Sequence, residues 1–162
     1  LETLQRTRKV MSKFLKLDNE VFNIFWPDLS KLFIKVIKTQ ASGRDSLELL
    51  HTKISNKLLD VWVYRGEDGV YNDDGVIEAA FCTTITEYPN KRSLFWGYMS
   101  ADNNTMNNWK ESLWTTLRNY GNQNQCDCIE YFSNRTGWTR VLEENDDVKN
   151  IEPIGTVFEI KL

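Results

Sequence analysis

The sequence predicts a single α/β (α+β) domain in which a mainly antiparallel, mixed sheet is flanked by helices, and three observations predict it. Residues 60–99 hold three runs rich in β-branched and aromatic side chains, separated by turn signals. Stripes of helical period come before and after those runs. Residues 126–145, CDCIEYFSNRTGWTRVLEEN, then place a strand, a turn and a helix in one short stretch. A chain of 162 residues is the size of one domain with one substantial core.

Taken in order, Leu4, Val10, Met11, Phe14 and Leu15 form an apolar stripe beside Arg6, Arg8, Lys9, Lys13 and Lys16. This predicts a basic amphipathic helical extension over residues 1–20, ahead of a domain over 21–162. Pro27 suits the first turn of a helix. Leu29, Leu32, Phe33, Val36 and Ile37 line its inner face and Lys31, Lys35 and Lys38 its outer one. Gly43 ends that pattern, and Ser46 is the cap of a second helix carrying Leu47, Leu50, Ile54 and Leu58. His51 rides on it as a surface or boundary side chain.

Residues 60–65, DVWVYR, read as the first strand of a meander. Asp68-Gly69 and Asp74-Gly75 mark a loop before a long strand over about 76–86. Pro89-Asn90 turns the chain back through residues 93–99. Thr105 then caps a helix with Met106, Trp109, Leu113, Leu117 and Tyr120 on one stripe, and Gly121 is expected to close it in a left-handed conformation. Ile129, Tyr131 and Phe132 follow as a strand. Trp138, Val141 and Leu142 form the stripe of the next helix, with Trp138 a packing anchor and Asn145 a left-handed stop. Phe158, Ile160 and Leu162 alternate with Glu159 and Lys161, which predicts a half-buried strand over 154–162.

Composition narrows the function. The formal charge of −3 argues against broad nucleic-acid binding, and no apolar run is long enough to cross a bilayer. The start of the chain has no secretory signal, so a soluble, cytoplasmic protein is expected. Three cysteines, Cys82, Cys126 and Cys128, form no disulfide framework and fit a reducing compartment. With His51 as the single histidine, soft ligands are too few for a metal site.

The succession of helix, helix, meander, helix, strand, helix and strand resembles the GNAT N-acyltransferase fold. Cys128-Ile129-Glu130, Arg135, Gly137-Trp138, Arg140 and Leu142 are similar to the C-terminal signature of GNAT-like proteins encoded by bacteriophages. Residues 78–99 resemble that group's central hairpin. The resemblance spans about residues 27–162 and leaves residues 1–20 outside it.

In active members of that family, acyl-CoA lies on backbone groups of the meander's last strand. Its pyrophosphate is held by a glycine-rich, basic loop opening the next helix, where amide donors and the helix dipole favour negative charge. Here the matching stretch is MSADNNT, residues 99–105, which has no glycine and no cation and contains Asp102. Backbone amides at Asn103, Asn104 and Thr105 are the remaining anion donors. Arg135, beside Gly137 at a helix start, is either a phosphate or carboxylate anchor or a surface ion-pair partner. Where the family places a general-acid Tyr, seven residues after Asn134, this chain has Val141, which cannot donate a proton. Tyr131 and Tyr120 are the candidates to replace it, with nothing in the spacing to single out either, and Glu87, at the end of the long strand, is the candidate general base.

Three functions follow from the resemblance and the charge pattern. One is a non-catalytic binding component with a degenerate acyl-CoA site, in the host cytoplasm or built into a virion, meeting phage proteins through residues 1–20. Another is an active acyl-CoA-dependent N-acyltransferase acting on a primary amine, with acetyl-CoA as cofactor and Glu87 as base. The third is a nucleic-acid-associated protein using the basic face of residues 6–16.

Overall fold

The structure, a computed structural model, describes residues 13–40, 43–65, 77–132, 137–148, 150–155 and 158–162. It comprises two units, residues 1–132 and 133–162. In the first, β1 (Leu15–Lys16), α1 (Asn19–Gln40), α2 (Leu47–Ser55), β2 (Asp60–Tyr64), β3 (Ala79–Tyr88), β4 (Lys91–Ala101), α3 (Met106–Gln123) and β5 (Cys128–Tyr131) follow in order. The second carries α4 (Gly137–Glu143).

The sheet runs β1-β2-β3-β4-β5, antiparallel except for the parallel pair β4–β5. Alternation along the strands sends side chains to two faces. Val61, Val63, Ala80 and Cys82 join Phe22, Leu29, Leu32, Phe33 and Ile37 of α1 and Leu50 and Ile54 of α2 in one buried cluster. On the opposite face Phe14, Tyr64, Phe81 and Trp109 meet as aromatic neighbours, with Phe14 4.9 Å from Phe81 and 6.3 Å from Trp109. Trp62 stacks on Phe81 at 5.9 Å, and its indole N–H donates to the Thr83 hydroxyl at 3.0 Å.

Several local expectations are corrected. The stripe over residues 4–15 predicts a helix; residues 1–12 lie outside the described residues, and at residues 13–16 the chain is not helical, with Leu15 and Lys16 pairing with Val63 and Trp62. Phe14 enters the aromatic face while Leu17 enters the α1 cluster. Opposite faces for residues three apart suit an extended chain and not a helical stripe. The helix expected from Pro27 begins earlier, at Asn19, and runs through the proline. Phe22 at 1% exposure, together with Val21, Phe25 and Trp26 packed on the cluster, offsets the backbone bond that proline removes. His51 is the boundary residue expected: its Nε2 lies 2.8 Å from Asn23 Oδ1, and its ring packs by Phe22 and Trp26.

Ser46 caps α2 as read, accepting from the Leu49 amide at 3.1 Å. Gly121 does not close α3. The helix continues to Gln123, and Gln125 takes the left-handed conformation instead (φ 56). Gly121 is buried within the helix, where an added Cβ would lie 3.6 Å from Leu94 Cδ2, an ordinary contact. Gly121→Ala is therefore expected to stabilise the protein by about 0.5–1 kcal/mol through helix propensity, whereas a left-handed cap would give the opposite sign. Denaturant unfolding of the variant beside the parent decides between the two.

In the second unit, Asn145 ends α4 through its side chain, Nδ2 donating to the Leu142 carbonyl at 3.1 Å, and not by the left-handed backbone expected. The predicted last strand is absent among the described residues of 154–162. Ile154, Phe158, Ile160 and Leu162 are all exposed. Alternation makes a segment suitable for a strand, but a strand also needs a paired edge, which pattern alone does not supply.

Candidate acyl-CoA site

Two irregularities in the middle of the sheet shape the candidate site. β4 spans Lys91–Ala101, but β5 pairs only with Ser93–Trp96. Beyond Trp96 the edge of β4 that faced β5 has no partner strand among the described residues. On its other edge, two steps along β3, from Cys82 to Ala80, match three along β4, from Gly97 to Ser100. This is a β-bulge, which bends the strand and redirects its side chains. Tyr98 sits in it with φ 55, a left-handed conformation costly for a bulky residue.

The bulge sets where Tyr98 goes. Strict alternation from Gly97, which faces the α1 side with Cys82, would send Tyr98 to the α3 side. Instead it packs on the α1–α2 cluster, and its hydroxyl donates to the Asp45 carboxylate. Burial, then that bond, pushes the Tyr98 phenol well above its ordinary range, so it stays protonated. At Gly97 a Cβ would come within 2.6 Å of the Phe95 ring, which would have to move. The result is a strand end whose one edge has no partner strand among the described residues, an arrangement suited to an extended chain with amide groups.

The loop leading into α3 is held from three sides. Ser100 Oγ donates to the Leu32 carbonyl at 2.5 Å, and the Asp102 amide donates to the Glu78 carbonyl at 2.8 Å. Thr105 Oγ1 donates to the Asp102 carbonyl at 2.8 Å and accepts from the Trp109 indole at 3.0 Å. Thr105 is thus the residue before α3, as read, but its hydroxyl braces the loop and makes no cap bond. Asn104 adopts φ 63, which asparagine tolerates better than most residues.

Charge at this helix start is predominantly acidic. Glu78 Oε2 accepts from Asn108 Nδ2 at 3.1 Å in the first turn of α3. Asp102 Oδ1 lies 3.7 Å from Lys35 Nζ, a half-exposed pair worth about 1 kcal/mol or less. Residues 99–109 contain no lysine or arginine. Glu78, Lys35 and Tyr98 escaped the sequence reading of the site because they reach it from other elements or through the bulge. Gly97, interrupting a β-prone run, is the sequence signal that marks such a bulge.

The other candidates fall in different places. Glu87 is paired with Arg92 at the closed end of the β3–β4 hairpin, and its side chain is 72% exposed. Along β4 from Arg92 to Gly97 is roughly 16 Å at strand rise. Arg92 also donates through Nε to the Asn124 carbonyl at 2.8 Å. Asn103, Asn104 and Thr105 come together in the β4–α3 loop; Arg135 lies outside the described residues. Tyr131 stands at the last rung of the β4–β5 ladder, opposite Trp96 and 5.4 Å from it, where the strands part. Tyr120 instead donates to Asp60 Oδ2 at 3.0 Å, and burial followed by that carboxylate pushes its phenol up to about 12. Cys82 is fully buried, and burial raises its thiol far above the reactive range. No described group of His, Cys, Asp and Glu is arranged to hold a metal.

No family model matches this sequence, and no curated protein matches it. Solved structures do. An aminoglycoside acetyltransferase from an uncultured soil metagenomic sample, in complex with sisomicin, is 12% identical with a TM-score of 0.63, over 92% of this chain and 96% of that one. An acetyltransferase of Trypanosoma brucei is 10% identical with a TM-score of 0.62, over 91% and 99%. A predicted acetyltransferase from Clostridium acetobutylicum, solved with acetyl-CoA, is 12% identical with a TM-score of 0.54, over 86% and 95%. Identities this low speak for the architecture alone, and that architecture, a five-stranded, mostly antiparallel sheet with flanking helices, is the GNAT acetyltransferase fold.

Proposed function

We propose that this chain is a binding protein on the acyltransferase fold, with the acyl-CoA cleft retained in outline and its phosphate cradle lost. The observation that carries this reading is the start of α3. There the Glu78 carboxylate accepts from Asn108 in the first turn, Asp102 stands in the loop before it, and that loop, residues 101–105, supplies neither glycine nor cation. A pyrophosphate brought to that turn meets like charge, which outweighs the attraction of a few backbone amides at Asn103, Asn104 and Thr105. The resemblance of residues 128–142 to phage-encoded proteins makes virion or assembly proteins the partner class to test, through residues 1–20. That assignment also places the protein in host cytoplasm or in a particle.

Calorimetric titration with acetyl-CoA, with CoA as control, tests the reading. Binding weaker than about millimolar, equivalent to about −4 kcal/mol, is expected for both ligands. Saturable micromolar binding would overturn it.

A second reading, an active N-acyltransferase using a primary amine, draws support from one position. Tyr131 lies where β4 and β5 part, the place from which a phenol reaches a departing thiolate in the cleft. Lys35, by pairing with Asp102, also moderates the repulsion there. Acetyl transfer lost in Tyr131→Phe, with the fold intact, would favour this reading; Glu87→Gln is the companion test of the base.

A further inference from the structure

A binding protein whose cleft has lost its phosphate cradle needs an occupant without phosphates. Resting on that reading, we infer that the occupant is an extended peptide, laid along the free edge of β4 with a lysine or arginine at its α3 end. The groups involved all belong to the unit of residues 1–132. β5 follows β4 as far as Trp96, so residues 97–101 have β3 on one edge and no partner strand on the other among the described residues. At strand rise this is about 16 Å, room for about five residues of an added chain.

The ladder fixes which backbone groups face that edge. The Asp102 amide donates to the Glu78 carbonyl on the β3 side. Neighbouring residues of an antiparallel pair point to opposite edges, so Ala101 turns its own N–H and C=O away from β3. Gly97, Tyr98 and Ala101 are half-buried. An extended peptide satisfies such an edge with its own backbone, one of the recurrent ways in which a sheet takes up a peptide. Where the strands part, Tyr131 stands 5.4 Å from Trp96, an aromatic wall for an apolar side chain of the added chain.

Charge selects the kind of peptide. Asp102 directly follows the free edge, and Glu78, bonded to the Asp102 amide through its carbonyl, accepts from Asn108 through its carboxylate. Residues 99–109 hold no lysine or arginine, while Lys35 reaches in from α1 to lie 3.7 Å from Asp102. Two carboxylates against one lysine and about half a charge from the helix start leave this end of the edge negative. A basic peptide therefore fits backbone and charge together, whereas an acidic one fits the backbone alone.

The test is a titration of the full chain, followed by backbone-amide NMR, with acetyl- and amide-capped peptides that share a Val-Thr-Val core. They carry paired Lys, Gln or Glu at one end or the other. A lysine peptide is expected to bind with a Kd below about a millimolar, about tenfold tighter than its glutamate counterpart, and to shift the amides of residues 97–102. Asp102→Lys should weaken that peptide by about tenfold. Ala101→Pro, which removes one donor from the free edge and none from the β3 ladder, should weaken lysine and glutamine peptides alike. Equal binding of lysine and glutamate peptides, or binding indifferent to both substitutions, would overturn the inference. Acetyl-CoA run on the same sample separates the two possible failures. If neither any peptide nor acetyl-CoA binds, this occupant is lost and the binding-protein reading stands; micromolar acetyl-CoA binding overturns both.

Discussion

Trp109→Ala is expected to lower the free energy of unfolding by about 3–5 kcal/mol, the range for removing a buried large aromatic side chain. Trp109 is 1% exposed and meets Phe14 across the α3 face of the sheet. Its indole N–H also donates to Thr105 Oγ1, the hydroxyl that braces the β4–α3 loop. Packing and loop order therefore fail together. Denaturant titration should show a lower midpoint, and hydrogen exchange should quicken at the Asn108 amide, which donates to the Thr105 carbonyl. Trp109→Phe keeps most of the packing and removes the bond to Thr105, so its cost is expected to be smaller, with the exchange effect still present. Unchanged exchange in both variants would mean that the loop is held by its other contacts.

Phe33→Ala is expected to cost a similar amount, about 3–5 kcal/mol, from the other side of the sheet. Phe33 is fully buried in the cluster that joins α1 and α2 to β2 and β3. Its neighbour Leu32 supplies the carbonyl that accepts from Ser100, so loosening α1 also frees the end of β4. The two changes thus attack the candidate cleft from opposite faces. Because the residues lie in separate layers, their costs should add within a few tenths of a kcal/mol in the double variant.

Much of the architecture was legible in the sequence because its signals are local. Leu29, Leu32, Phe33, Val36 and Ile37 recur at helical spacing, and each is buried where the stripe required. Ser46 caps α2, and Pro89-Asn90 joins β3 to β4. The misread positions have a common cause. Residues 14–17 fit a helical stripe until two sheet faces claim different members, and Gly121 resembles a cap until Leu94 packs against it. The site was readable only in part: residues 101–105 gave the missing glycines and Asp102, but not the carboxylate of Glu78 or the lysine at position 35.

The sequence by itself determined the order and kind of most elements, the acidic glycine-free loop, and the absence of a tyrosine at Val141, since periodicity, turn chemistry and side-chain acidity belong to neighbouring residues. Only the tertiary structure decided that β5 leaves β4 after Trp96 and that Tyr98 crosses the sheet by a left-handed bulge. It alone brought Glu78 to the first turn of α3. Those outcomes depend on which strand edge meets which, and on groups remote in the chain sharing one space, neither of which a local pattern encodes.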